Sequence, residues 1–212
     1  MAIKIIKHPL LDDKLSRMRD MRTSSETFRN LVGEVANLLA YEATRDLETY
    51  ETEIQTPLGE RATVHRLVGK SPCIVPILRA GLGMVDGLLN LIPNAIVGHL
   101  GIFRDHETLQ PVVYYNKLPD DIGERHVIIV DPMFATGGSL IAACDLIKKH
   151  TPRSLRAMCI LAAPEGMAAF EKYHPDVNVF CAAVDRCLNE KGYILPGLGD
   201  AGDRLFGTKE KK

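Results

Sequence analysis

Val127-Ile128-Ile129-Val130-Asp131-Pro132-Met133-Phe134-Ala135-Thr136-Gly137-Gly138-Ser139 is a short apolar run that stops at an acid and turns into a loop of small and hydroxylated residues. His126 to Val130 is too short for a lone helix and rich in β-branched side chains, so it predicts a buried strand, and helical spacing resumes from Leu140 to His150. The loop therefore joins a strand end to a helix start. At such a junction the unpaired N–H groups of the first helical turn and the helix dipole favour an anion. Gly137 and Gly138 let the backbone approach it, and Thr136 and Ser139 add hydroxyl donors. Asp131 falls at the carboxyl end of the strand, where open α/β sheets bind ligands. One acid beside a phosphate cradle suits a ribose hydroxyl or a metal-bound sugar phosphate. Composition alone explains a Gly-Gly-Ser turn equally well as an ordinary tight connection.

Around this segment the chain alternates. Strands are expected at Cys73 to Leu78, Ala95 to Phe103, Val112 to Lys117, Leu155 to Leu161 and Val177 to Ala183, and helices at Gly81 to Leu91 and Pro164 to Tyr173. That order predicts an α/β fold with a mainly parallel sheet flanked by helices. Upstream, Thr23 and Glu26 form a capping box ahead of Phe28, Leu31, Val32, Val35, Leu38 and Leu39, which predicts an amphipathic helix to about Asp46. Glu51 to Leu67 alternates around Pro57-Leu58-Gly59-Glu60 and reads as a β-hairpin, a candidate cover for the site. Lys14, Arg17, Arg19, Arg22 and Arg29 read as a solvated or subunit-contacting face, with a nucleotide effector as the alternative.

With 212 residues, 46% of them hydrophobic, the chain can build one full core, so residues 1–212 are read as a single domain. A net charge of −1 argues against nucleic-acid binding through a broad basic field. The five cysteines, Cys73, Cys144, Cys159, Cys181 and Cys187, are scattered and never spaced as C-x-x-C, so they predict reduced thiols rather than a zinc site or a disulfide framework. Neither a signal peptide nor a membrane span is expected, and a cytoplasmic location follows.

Three further segments carry chemistry. Pro76-Ile77-Leu78-Arg79-Ala80-Gly81-Leu82-Gly83-Met84 ends a strand in a glycine-bearing turn with a guanidinium, the group that grips phosphate oxygens in pairs. Arg104-Asp105-His106-Glu107-Thr108-Leu109-Gln110-Pro111 is too polar for a core and predicts a mobile arm. Gly192-Tyr193-Ile194-Leu195-Pro196-Gly197-Leu198-Gly199-Asp200-Ala201-Gly202-Asp203-Arg204 has dinucleotide-fingerprint spacing at Gly197, Gly199 and Gly202. Only ten residues follow Gly202, which leaves no room for the helix and distal acid that a dinucleotide site needs.

Together these segments resemble the type I phosphoribosyltransferases. Val127 to Ser139 is similar to the motif that binds phosphoribosyl diphosphate (PRPP), with Pro132 where most members carry a second acid and Phe134 where the uracil branch more often has leucine. The Gly192 to Arg204 segment resembles the base-recognition segment of that branch. The resemblance implies that Asp131, Pro132, Met133, Phe134, Ala135, Thr136, Gly137, Gly138 and Ser139 bind PRPP together with Arg79, Arg104 and Asp200. It implies that Ile194, Gly199, Asp200 and Ala201 bind uracil, and that Arg79, Arg104, Asp131 and Asp200 serve catalysis. Asp185-Arg186-Cys187-Leu188-Asn189 departs from the Asp-Glu-Arg-Leu-Asn of many members, which leaves local pairing there open.

The implied reaction is uracil plus PRPP to UMP plus diphosphate, with Mg²⁺ as cofactor carried mainly by PRPP rather than by protein ligands. Uracil offers acceptor, donor, acceptor along O4, N3–H and O2. A rigid loop presenting N–H, C=O and N–H matches that edge and rejects cytosine through mismatched buried groups. The resemblance further implies a small hood built from the N-terminal helix and hairpin and the C-terminal segment, a β-arm, a homodimer or homotetramer, and GTP as an effector to test. The alternatives are a phosphoribosyltransferase for another nucleobase and a nucleotide-sensing regulator of the same fold that binds RNA.

Overall fold

The computed structural model describes residues 3–104 and 111–208, with the side chain of Arg104 outside the description. In chain order its elements are β1 (Ile3–Ile5), α1 (Pro9–Arg19), α2 (Ser25–Ala43), β2 (Thr49–Gln55), β3 (Arg61–Leu67), β4 (Cys73–Leu78), α3 (Leu82–Leu91), β5 (Ile96–Val97), β6 (His99–Arg104) and β7 (Pro111–Lys117). There follow β8 (His126–Val130), β9 (Met133–Phe134), α4 (Gly138–Lys148), β10 (Ser154–Ala162), α5 (Pro164–Tyr173), β11 (Asn178–Val184), β12 (Cys187–Leu188), β13 (Ile194–Leu195) and α6 (Ala201–Phe206).

The main sheet has the order β1-β11-β10-β8-β4-β6-β7, parallel throughout except for the final β6–β7 pair. Its central strands read as unbroken apolar runs because both faces are covered. Ile74, Ile128, Met158 and Phe180 face the layer of α1, α2, α3 and α6. Their neighbours Cys73, Val75, Ile129, Cys159 and Cys181 face α4 and α5. Each large apolar side chain so enclosed contributes about 1.5–3 kcal/mol. On the first face α2 and α3 nearly touch: a Cβ on Gly87 would lie 2.1 Å from the carbonyl oxygen of Gly33, so only glycine permits that approach.

Chain order reverses between β4 and β8. From β4 the chain moves outward through α3 to β6, whereas from β8 it moves the other way through α4 to β10. Such a switch point opens a crevice at the strands' carboxyl ends. Pro76 pairs in register with Val130, so the turns carrying Arg79 and Asp131 leave the same edge of the sheet side by side.

Local departures from the sequence reading have physical causes. The N-cap of α2 is Ser24, whose Oγ accepts from Thr27 N–H at 3.2 Å. Thr23 instead donates its hydroxyl to the Arg17 carbonyl at 2.6 Å and closes the α1–α2 turn. The expected strand Ala95 to Phe103 is interrupted at Gly98, whose N–H reaches back to the Ile74 carbonyl. The basic N-terminal residues are mostly spent on partners within the chain: Lys14 on Glu34, Arg17 on Asp13, Arg19 on Asp185, Arg22 on Asp20 and Arg29 on the Leu205 carbonyl. Cys73, Cys144, Cys159 and Cys181 are buried and Cys187 is half-buried, all as free thiols. Among the described residues no helix is long and apolar enough to cross a membrane.

Candidate active site

Two cavities adjoin at the switch point. One, of about 100 Å³, is lined by Asp131, Met133 to Leu140, Met158 and Cys159. The other, of about 240 Å³, is lined by Ala80, Asp131, Met133, Ala135, Gly192, Tyr193, Ile194 and Gly199 to Gly202. Asp131, Met133 and Ala135 belong to both, so the loop after β8 and the tail segment face one continuous site. A larger 750 Å³ groove between α2 and α3 lies elsewhere and contains none of these groups.

The loop after β8 is stapled to β10. Pro132 is buried and lines neither cavity; its carbonyl accepts the N–H groups of both Ile160 and Leu161, at 3.0 Å each. A residue without an N–H fits where only the carbonyl is used. Phe134 packs edge-on against Phe170 at 5.6 Å and forms the floor of the loop. Gly137 caps α4 at φ 86°, a left-handed turn that glycine adopts without penalty, and directs the first N–H groups of α4 toward the cavity. Gly166, in the first turn of α5, backs the loop so closely that a Cβ there would sit 2.1 Å from the Ala135 carbonyl oxygen. No local pattern could have revealed this contact, because it joins segments some 30 positions apart.

Asp131 holds the shared wall. Its Oδ1 accepts the Met133 N–H at 3.2 Å, yet desolvation dominates and pushes the carboxyl up to about 7. One edge remains open to the cavity while protein surrounds the rest. Near neutrality the group is therefore poised between forms, and a bound cation or hydroxyl would favour its ionised one.

Arg79 reaches from the end of β4 across to α6, where Nη2 lies 3.2 Å from Asp203 Oδ1 and Nη1 lies 3.2 Å from Thr208 Oγ1. Asp200 caps α6 through the Asp203 N–H at 2.9 Å, and it also borders the tail-side cavity. Ile194 is buried in β13, Gly197 and Gly199 take φ of 65° and 79°, and Ala201 closes the turn. The tail residues Ile194, Gly199, Asp200 and Ala201 thus line one cavity, as does the set from Met133 to Ser139 in the other. Arg104 ends β6, but its side chain and the expected arm at 105–110 lie outside the described residues. Gly192, Tyr193, Met158 and Cys159 are lining residues that the sequence reading did not assign. The β2–β3 hairpin, expected as a cover, contributes to neither cavity.

Among the described residues no three His, Cys, Asp or Glu side chains converge as a metal cage. Asp131 and Asp200 nevertheless line the same cavity, and Mg²⁺ characteristically takes one or two protein carboxylates beside phosphate oxygens. The donor set fits that mode.

The profile described as uracil phosphoribosyltransferase matches residues 5–208. A uracil phosphoribosyltransferase of Symbiobacterium thermophilum is 56% identical over 207 residues, covering 98% of this chain and 99% of that one. The enzyme of the same name from Ureaplasma urealyticum is 56% identical over 206 residues, covering 97% and 99%. A solved protein structure from Aquifex aeolicus superposes with a TM-score of 0.93 at 41% identity, over 99% of this chain and 100% of that one. A hypoxanthine-guanine phosphoribosyltransferase from Bacillus anthracis, at 15% identity and a TM-score of 0.50 over 74% of this chain and 79% of that one, shares the fold.

Proposed function

The chain belongs to the uracil phosphoribosyltransferase family, and we propose how its residues divide that family's reaction among them. The protein is a pentosyltransferase that joins uracil to the ribose of PRPP and releases diphosphate, giving UMP. A bond from C1′ to the diphosphate oxygen breaks, one from C1′ to uracil N1 forms, and N1 loses its proton. Positive charge grows on the sugar meanwhile. The protein's task is to hold both substrates in line and to stabilise separating charge.

The observation that carries the assignment of roles is the continuity of the two cavities through Asp131, Met133 and Ala135. In our reading the 5′-phosphate sits in the cradle of Ala135 to Ser139, held by the N–H groups at the start of α4 and by the Thr136 and Ser139 hydroxyls. The Asp131 carboxylate accepts from a ribose hydroxyl. Uracil lies in the adjoining cavity with its edge along Ile194, Gly199 and Ala201, and Asp200 sits between base and sugar. Arg79 and Arg104 stabilise the departing diphosphate, for which Arg79 exchanges its exposed contacts with Asp203 and Thr208. Such solvent-facing pairs are worth no more than about 1 kcal/mol, so a diphosphate displaces them readily.

Phosphoribosyltransferases use Mg²⁺ with PRPP. Here Asp131 and Asp200 are the side chains that would hold the ion, which supplies neutralising charge to the diphosphate. We extend the reading to a homodimer or homotetramer, because Phe103, Val112, Val113, Tyr114 and Tyr115 leave an exposed apolar surface on β6 and β7 that suits a second copy. GTP is the effector to assay.

The test is uracil-dependent release of diphosphate from PRPP with Mg²⁺, run beside cytosine, orotate and hypoxanthine. Release with uracil and formation of UMP are expected. No release with uracil, or equal release with another base, refutes the reading.

A further inference from the structure

Behind the tail segment lies a buried ionic frame that touches neither cavity. Asp185 follows the end of β11 and is tied to β10 by its N–H to the Ala162 carbonyl at 2.9 Å. The final residue of α1, Arg19, meets its carboxylate with both guanidinium branches, Nη1 to Oδ2 at 2.8 Å and Nη2 to Oδ1 at 2.7 Å. The same pair brackets Gly197, whose N–H donates to Asp185 Oδ2 at 2.8 Å and whose carbonyl accepts from Arg19 Nη1 at 2.7 Å. A third member arrives from α6. Arg204 donates to the carbonyls of Leu198 at 2.7 Å, Asp20 at 2.8 Å and Met18, while its guanidinium lies 4.2 Å over the Phe28 ring.

Three polar groups of two consecutive residues, Gly197 N–H, Gly197 C=O and Leu198 C=O, are therefore fixed from behind by charged side chains that are themselves over nine-tenths buried in two of three cases, Asp185 at 8% and Arg204 at 9% exposure. Charge-assisted hydrogen bonds shielded from water are the stiffest restraints a loop can have. The next residues, Gly199 to Ala201, are those that border the base cavity. Gly197 and Gly199 both take positive φ, so nothing intrinsic to the backbone holds their conformation. Asp200 and Ala201 are held as the N-terminus of α6, so the stiffness still needed at Gly197 and Gly199 comes from outside the loop.

We propose that Arg19, Asp185 and Arg204 are positioning residues that set the preference for uracil by fixing the register of Gly199 to Ala201, without touching the base. The inference rests on the reading of the tail cavity as the uracil site. A main-chain hydrogen-bond pattern discriminates between bases only if its donors and acceptors cannot rotate to suit the wrong edge. Loosening the frame lets them rotate.

The experiment compares wild type with Asp185→Asn, which keeps an oxygen for Gly197 N–H but removes the charge facing Arg19, and with Arg19→Lys, which keeps the charge but loses the fork. KM and kcat are measured separately for uracil and PRPP, along with kcat/KM for cytosine. Both variants are expected to raise KM for uracil by about 10- to 100-fold, as displacements of about 1 Å do, while KM for PRPP changes less than about 3-fold. The uracil-to-cytosine ratio of kcat/KM falls at least about 10-fold. A purely structural role would lower the active fraction and leave both KM values and the ratio unchanged; that result in either folded variant overturns the proposal. If neither variant folds, amide exchange on wild type decides, slow exchange at Gly197 supporting the frame and fast exchange overturning it. Absence of UMP formation by wild type would instead refute the parent reading of the site.

Discussion

Asp131→Asn should make the unliganded protein more stable and nearly inactive. The Asp131 carboxyl is raised from 3.8 to about 7 because protein replaces its water on most sides, with only the Met133 N–H in compensation. Each tenfold change in proton affinity is about 1.36 kcal/mol, so ionising this group in the folded chain costs about 4 kcal/mol more than in the unfolded one. Water reaching the cavity edge screens part of this, leaving about 2–4 kcal/mol. The sign follows from proton counting. Between pH 4 and 7 the folded state binds more protons at this site than the unfolded state, so its contribution to stability falls as pH rises through that window and stays low above it. Asparagine keeps the oxygen that accepts from Met133 and carries no charge. The variant should exceed wild type by no more than about 1 kcal/mol near pH 4.5 and by about 2–4 kcal/mol at pH 8, a rise in melting temperature of roughly 4–16 °C for a chain of this size. Urea titrations at both pH values, on protein free of PRPP and Mg²⁺, provide the measurement. Activity with uracil and PRPP should fall about 100-fold or more, since an interaction with developing charge is lost. A stability difference that is absent at pH 8, or equal at both pH values, would show that Asp131 is not held neutral by its surroundings.

Other expectations concern the loop, the core and the thiols. Gly166→Ala must push Ala135 away, because the added Cβ would lie 2.1 Å from its carbonyl oxygen; KM for PRPP should rise at least about 10-fold with little change in KM for uracil. Gly137→Ala places a side chain at φ 86° and should cost about 1–2 kcal/mol, read by thermal unfolding. Arg125→Ala removes a buried guanidinium that bonds Asp121 and the Ser71 carbonyl; because Asp121 is partly exposed and keeps Lys70, a loss of about 1–3 kcal/mol in urea unfolding is expected. Burial pushes the Cys73 thiol up to about 11 and that of Cys144 up to about 12, so a thiol reagent at pH 8 should label half-buried Cys187 first; prior labelling of either of the other two would contradict the packing.

What could be read from the sequence was whatever is written locally. Val127 to Val130 announced a strand covered on both faces, and Gly137-Gly138-Ser139 announced the start of a helix, because each depends on neighbours within a few positions. The α2 cap slipped by one residue because a tertiary bond from Thr23 to Arg17 decided between two adjacent hydroxyls. Pro132, conspicuous in sequence as a missing acid, proves to be a buried link to β10. Gly166 behind the loop after β8, and Arg19 opposite Asp185, carry no signal at all in the one-dimensional pattern. Their partners are distant in the chain and identified only by the sheet's topology. The basic run near the N-terminus, read as a solvated or subunit-contacting face, keeps Arg17 and Arg22 exposed, whereas Arg19 is turned inward onto Asp185.

The long reach of those contacts has a consequence for how the molecule is made. The loop after β8 gains its last packing contact only when Phe170 has been synthesised, and the tail turn lacks its last anchor until Arg204 emerges, roughly 34 residues and about two to seven seconds later at ordinary elongation rates. On the reading proposed above, a nascent chain on the ribosome thus completes the segment assigned to the sugar phosphate before the segment assigned to the base.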